Sequence, residues 1–326
     1  MKRDKNNKLS RLPGKDMIRS SEVRKLLNSF LEESEEESYT WESLTSPDPL
    51  PHNWIYDVFR DSQNRIWVAT WGGGVAVCDG KKWKTYTIHD GLLSNSVTSI
   101  KEDNNGKIWL ATDNGINTIA DDNLEIIGLR GKRLLNITFD KQCHLWACCW
   151  GTSSGEPGLY EYDGNQWKGY AKSDGVPGRE ILKVFEDSRE YIWVGTYESS
   201  LGAGVGCFNG NQWFSYDHDD GLPDNCVYSM FEDPEGNMWF GTVRGIGIFD
   251  IHNNKWHKLA KKDGLIDNRV YSMLIDSRNN MWFGTEGGIS KLTINPGKKK
   301  LTDKLLDKLP GPADLKSFPR HHKKNN

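Results

Sequence analysis

"DPEGNMWFGT", residues 233–242, sets an Asp and a Gly-containing turn ahead of Met-Trp-Phe and two small residues, which reads as a hairpin turn leading into a strand. The same frame recurs as "DSQNRIWVAT" (61–70), "DNNGKIWLAT" (103–112), "DKQCHLWACC" (140–149), "DSREYIWVGT" (187–196) and "DSRNNMWFGT" (276–285). In all six copies Asp lies six residues before Trp, and Ile, Leu or Met immediately precedes that Trp. The tryptophans Trp67, Trp109, Trp146, Trp193, Trp239 and Trp282 follow one another at 42, 37, 47, 46 and 43 residues. That period suits the four-stranded blade of a β-propeller.

One unit shows how the strands are written. "VYSMFED" (227–233) is an apolar inner strand, "MWFGT" a second, "GIGIFD" a third and "KWHKLA" a fourth. "KDGLIDN" then turns the chain into the next inner strand. Trp83, Trp167, Trp213 and Trp256 mark the fourth strands, whereas blade two has Leu124 and the sixth copy has no fourth strand. Ahead of the first copy, "YTWESLTSPDPLPHNWIYDV" matches "WKTYTIHDGLLSNSVTSI", with Trp41 in the register of Trp83. Residues 39–45 are therefore expected to close the last blade as its outer strand. The predicted fold is all-β: a single six-bladed propeller over 39–296, an N-terminal extension over 1–38 and a basic tail over 297–326.

The blade pattern, an apolar run, D-x-x-G-x-[ILM]-W-x-G-T, G-[LI], an aromatic strand and D-G-L-x-x-N, resembles the two-component regulator propeller repeat. That resemblance implies a ligand-binding sensor propeller; family sensors usually add a second propeller, an immunoglobulin-like connector, a membrane helix and a kinase. More distantly the chain resembles streptogramin lyases, single propellers that use a His, a Glu and Mg²⁺.

Net charge is −3, unevenly spread: residues 38–296 carry a net −10 and the tail carries nine Lys/Arg against three Asp/Glu. Such a body is not expected to bind nucleic acid. No stretch is long and apolar enough to span a bilayer, and the first residues lack a secretory signal's apolar core. Six cysteines without framework spacing read as free thiols, and the expected location is cytoplasmic.

In an up-and-down blade the loops between strands two and three share one end with the blade-to-blade crossovers, and the family resemblance implies that this end surrounds the pocket mouth. Eleven of the fourteen tryptophans belong to strands; Trp54, Trp71 and Trp150 remain, and all three map to this end. Two enlarged loops, 150–158 and 197–204, add Glu156, Tyr197 and Glu198. The crossovers repeat Asn53, Asn95, Asn225 and Asn268, whose side chains suit turn-holding hydrogen bonds. Lys132, Arg133, Arg179, Arg244 and Arg269 bring positive charge to the same rim, beside Asp113, Glu180, Glu198 and Glu286. An anionic group could be met there, or the charges could pair among themselves.

A catalytic base is scarce: of eight histidines only His52 falls beside the mouth. No metal site and no cofactor are expected; "DNNGK" and "HDDG" lack a calcium loop's alternating ligands, and Cys148 and Cys149 read as small buried thiols in place of Gly-Thr. Residues 18–31 place Val23, Leu26, Leu27, Phe30 and Leu31 on one helical face, which docks on the propeller or, like the basic tail, contacts a partner. The reading is a non-catalytic module binding a small molecule or protein around Trp54, Trp71 and Trp150. A lyase and a scaffold acting through its ends are the alternatives.

Overall fold

The computed structural model describes residues 44–151, 155–197, 203–276 and 280–293. The chain divides into two compact units, Met1–Leu44 and Thr45–Asn326, and all the described strands lie in the second. They form six antiparallel sheets in chain order. Sheet 1 comprises Ile55–Arg60, Ile66–Thr70, Val75–Cys78 and Trp83–Tyr86, and sheet 2 Val97–Glu102, Ile108–Thr112, Gly115–Ala120 and Asn123–Gly128. Sheet 3 comprises Leu134–Phe139, Leu145–Cys149, Leu159–Tyr162 and Trp167–Tyr170, and sheet 4 Ile181–Glu186, Ile192–Thr196, Val205–Phe208 and Trp213–Tyr216. Sheet 5 comprises Val227–Glu232, Met238–Thr242, Gly245–Asp250 and Lys255–Leu259; sheet 6 has three strands, Val270–Ile275, Met281–Thr285 and Gly288–Leu292. The first strand of each sheet neighbours the first strand of the next.

The repeated letters have repeated physical jobs. Each signature Asp accepts a hydrogen bond from the indole N–H of the Trp six residues on, at 2.8–3.0 Å in all six sheets. The same carboxylate also takes backbone N–H groups of its own turn, as Asp187 does from Arg189 and Tyr191. One side chain thus fixes the hairpin and aims the largest ring of the blade into the core. Trp67, Trp193 and Trp239 are almost fully buried. They pack between adjacent sheets, as Trp193, Cys207 and Tyr216 of sheet 4 do with Met238, Phe240 and Phe249 of sheet 5.

The Thr ending the second strand donates its hydroxyl to the carbonyl of the Gly near the start of the third, at 2.7–2.8 Å: Thr70 to Gly74, Thr112 to Gly115, Thr196 to Gly204, Thr242 to Gly245 and Thr285 to Gly288. In sheet 3 Cys149 stands at that place, and its backbone N–H bonds the Gly158 carbonyl at 2.8 Å. The recurrent Asn holds the crossover as expected. Its side-chain oxygen accepts the N–H seven residues back, Asn95 from Ile88, Asn225 from His218 and Asn268 from Lys261, at 2.7–2.8 Å. Asn53 accepts from Ser46 in the same way at 2.7 Å, so the segment entering sheet 1 is built like the links that follow the fourth strands of sheets 1, 4 and 5.

The expected closure is not seen. Residues 39–43 of the closing strand lie outside the described residues, and so do 18–31 and the tail. Ile289 of sheet 6 is 69% exposed, whereas its register equivalents Val75, Ile116, Leu159, Val205 and Ile246 are fully buried. Val58 of sheet 1 is 61% exposed where Ile100 and Ile137 are fully buried. Among the described residues, no strand pairs with the outer edge of sheet 6. No helix among the described residues is long and apolar enough to cross a membrane.

Candidate functional site

The rim is assembled from pairs of residues seventeen apart, one just before a first strand and one just after the second. The backbone N–H of the later residue donates to the carbonyl of the earlier: Trp71 to Trp54, Asp113 to Ser96, Trp150 to Arg133, Tyr197 to Glu180 and Glu286 to Arg269, at 2.8–3.1 Å. This bond extends the ladder between the first two strands by one rung and sets each pair side by side. The three tryptophans that the blade pattern leaves over are thereby placed in two such pairs.

Two aromatic groups result. Trp54, Tyr56 and Trp71 of sheet 1 have ring centroids 5.6–6.4 Å apart, and Trp54 is 61% exposed. Trp150 stacks on Tyr197 at 5.2 Å, Tyr197 meets Tyr228 at 6.1 Å, and Tyr228 meets Tyr271 at 5.1 Å, so this second group runs across sheets 3 to 6. Tyr56, Tyr228 and Tyr271 did not figure among the residues picked from sequence. Their signal was available: each is the second residue of a first strand, where the other copies have Thr98, Leu135 and Leu182. Burial pushes the Tyr228 hydroxyl up to about 12 and raises that of Tyr56 against the opposing pull of Arg133. Both hydroxyls stay protonated at neutral pH and can donate to a ligand.

Arg133 joins the groups. Its guanidinium carbon lies 5.7 Å from the centre of the Trp71 ring, its carbonyl holds Trp150, and it has no carboxylate partner among the described residues. The other rim cations behave differently. Arg244 pairs with Asp224 at 3.2 Å, Arg269 with Glu286 and Lys132 with Glu156 at 2.5 Å. Much of the expected basic cluster is thus neutralised within the rim, and Arg133 carries the positive charge that remains available. Arg179 lies beside the Glu180–Tyr197 pair in sequence, and Glu198 falls outside the described residues.

His52, the candidate base beside the mouth, lies next to Trp54. Its Nδ1 accepts the backbone N–H of Trp54 at 3.0 Å, which ties the ring to the turn. No three His, Cys, Asp or Glu side chains among the described residues gather as a metal-binding group. A cavity of about 400 Å³ between sheets 3 and 4 opens on His144, Glu161, Lys168 and Tyr170. Glu161 accepts from Tyr170 at 2.6 Å and contacts His144 Nδ1 at 2.8 Å, so its polar groups answer one another.

Cys148 and Cys149 are both buried. Burial pushes the Cys149 thiol up to about 12 and Cys148 well above its ordinary value. At neutral pH Cys149 then carries a thiolate fraction on the order of 10⁻⁵. Iodoacetamide is expected to modify the exposed Cys143 and leave this pair intact until the protein is unfolded; peptide mass mapping with and without urea checks it.

Four segments, 49–72, 91–114, 221–244 and 264–287, match the family model described as two component regulator propeller. No curated protein matches the chain. Among solved structures, the extracellular domain of the putative hybrid two component system BT3049 from B. thetaiotaomicron is similar at TM-score 0.63 and 20% identity, over 76% of this chain and 34% of that one. This chain therefore spans about a third of that protein's length. A streptogramin B lyase is similar at TM-score 0.58 and 15% identity, over 76% of this chain and 81% of the lyase. YCF48 bound to D1 peptide is similar at 0.54 and 16%, over 79% and 83%. At these identities the likeness carries the propeller fold alone. The cytoplasmic expectation gains nothing from it, since BT3049 is represented by an extracellular domain. The four matched segments fall on sheets 1, 2, 5 and 6, each spanning a first and a second strand, and there the chain is similar to the two component regulator propeller.

Proposed function

We propose that this chain is a non-catalytic recognition module whose ligand lies across the Trp54/Trp71 and Trp150/Tyr197 pairs and offers Arg133 a carboxylate or similar anion. The observation that carries this reading is Arg133 itself: a guanidinium seated on Trp71, between two aromatic groups, with no carboxylate partner among the described residues. Aromatic faces supply area at low entropic loss, and the planar guanidinium supplies orientation through paired N–H donors. The match to regulator repeats supports recognition as the chain's contribution to a signalling assembly. The bound peptide of YCF48, a protein of like fold, supports a polypeptide segment as one class of occupant.

Affinity capture from native cell extract tests this, with recovered proteins and metabolites read by mass spectrometry. Wild type is expected to retain a partner that the Trp54→Ala/Trp71→Ala/Trp150→Ala variant loses, and Arg133→Met weakens capture by about tenfold. Identical recoveries from wild type and the triple variant sink the proposal.

A further inference from the structure

Register sets one residue of each third strand opposite the signature Trp of the second. That residue is Val77, Thr118, Cys207 and Ile248 in sheets 1, 2, 4 and 5, all buried and uncharged, and the exposed Lys291 in sheet 6. Sheet 3 has Glu161 there. A carboxylate set between two packed sheets is costly unless it is bonded, and the blade pattern gives no reason for one. Glu161 lines the cavity of about 400 Å³ between sheets 3 and 4. That volume lies in the range of pockets that hold small organic molecules, and it is more than ten times a water's share of about 30 Å³.

The inner carboxylates of this cavity are already answered. Glu161 accepts the Tyr170 hydroxyl at 2.6 Å and contacts His144 Nδ1 at 2.8 Å. Burial and the Glu161 bond push the Tyr170 hydroxyl far up, so it stays a donor. Asp140 accepts Trp146 Nε1 and the backbone N–H of His144, both at 2.8 Å. Among the cations, Arg189 is paired with Asp187. Lys168 is different. It stands opposite Glu161 in the ladder of the third and fourth strands, with its amine 4.6 Å from the centre of the Tyr170 ring, yet it forms no ion pair among the described residues. Lys168 is exposed, so its amine is placed where the cavity meets solvent. The apolar part of the lining is ring-rich: Trp146, Tyr170, Tyr191 and Phe208.

We propose that this cavity is a second binding site, for an organic carboxylate with a ring-sized apolar body. The carboxylate pairs with the Lys168 ammonium, and the body fills the space between the aromatic residues of sheets 3 and 4. The charge-assisted pair fixes orientation, and the apolar body gains by leaving water. A cationic ligand is disfavoured, since Asp140 and Glu161 are committed and Lys168 repels it. The cavity lies at the turn end of the sheets, so it is distinct from the Arg133 rim and does not depend on what the rim binds.

Calorimetric titration of the full chain with 2-naphthoate tests the proposal, run on Arg133→Met so that the rim guanidinium does not contribute. Binding is expected there; adding Lys168→Met weakens it about tenfold, whereas adding Lys168→Arg retains it. 2-Naphthamide keeps the rings without the charge, and acetate keeps the charge without the rings. Each is expected to bind at least about tenfold more weakly than 2-naphthoate. Equal affinity of acid and amide overturns the anion, and equal affinity with and without Lys168→Met overturns the site. Binding that is present in wild type and absent from Arg133→Met assigns the probe to the rim and also overturns the cavity, as does a probe that binds neither protein. Lys168 is exposed, so its substitutions are expected to leave the urea midpoint unchanged, which separates lost binding from lost folding.

Discussion

Trp193→Ala is expected to remove about 4 kcal/mol of folding stability, a large share of what a domain of this kind holds. The indole is fully buried and sits 5.4 Å from Phe240 and 6.2 Å from Phe249 of the next sheet, so its loss leaves a cavity between two blades. It also removes the N–H that Asp187 accepts at 2.8 Å, in a turn where the same carboxylate is paired with Arg189. Trp282 is the informative comparison. Its ring is only half-buried, under Lys291, on the sheet with three strands among the described residues, and its bond to Asp276 is 3.0 Å. Trp282→Ala is therefore expected to remove about half as much. Urea titrations of both variants check this; equal losses would refute the idea that burial between sheets, rather than the repeated Asp–Trp bond, sets the energy.

The second large effect is at Gly204. Its φ is +73°, and a β-carbon built there collides with the carbonyl oxygen of Tyr216 in the outer strand. Its own carbonyl receives the Thr196 hydroxyl at 2.8 Å and its N–H reaches the Asn225 carbonyl at 3.2 Å, so the backbone cannot swing away without breaking both. Gly204→Ala combines the left-handed backbone penalty with a steric clash, about 3 kcal/mol together. Gly210 has φ +90° with open space around it, and Gly210→Ala is expected to lose only the backbone part, about 1 kcal/mol. A shift in urea midpoint that is the same for both variants would count against the clash.

The Asp-to-Trp spacing was sufficient to read the blades because both residues act inside one hairpin, where sequence distance and spatial distance are tied. Thr196 with Gly204, or Asn95 with Ile88, are legible for the same reason. Trp54, Trp71 and Trp150 could be found by subtraction, as the tryptophans that no strand requires. The seat of Arg133 could not, since Arg133 at the start of sheet 3 meets Trp71 of sheet 1 only once separate sheets are brought together. The fate of the rim arginines was hidden for a related reason: Arg244 finds Asp224 and Arg269 finds Glu286 only once loop and crossover are set side by side.

The Asp–Trp bonds all lie at the turn end of the sheets, opposite the rim. Each sheet is therefore anchored by a side-chain clamp at the end away from its rim. A clamp placed there leaves the lengths of the rim loops out of its own geometry, and the sequence lengthens two of them, after Trp150 and after Tyr197. The molecule can accordingly be re-tooled for a different ligand one loop at a time, with its foundations left untouched.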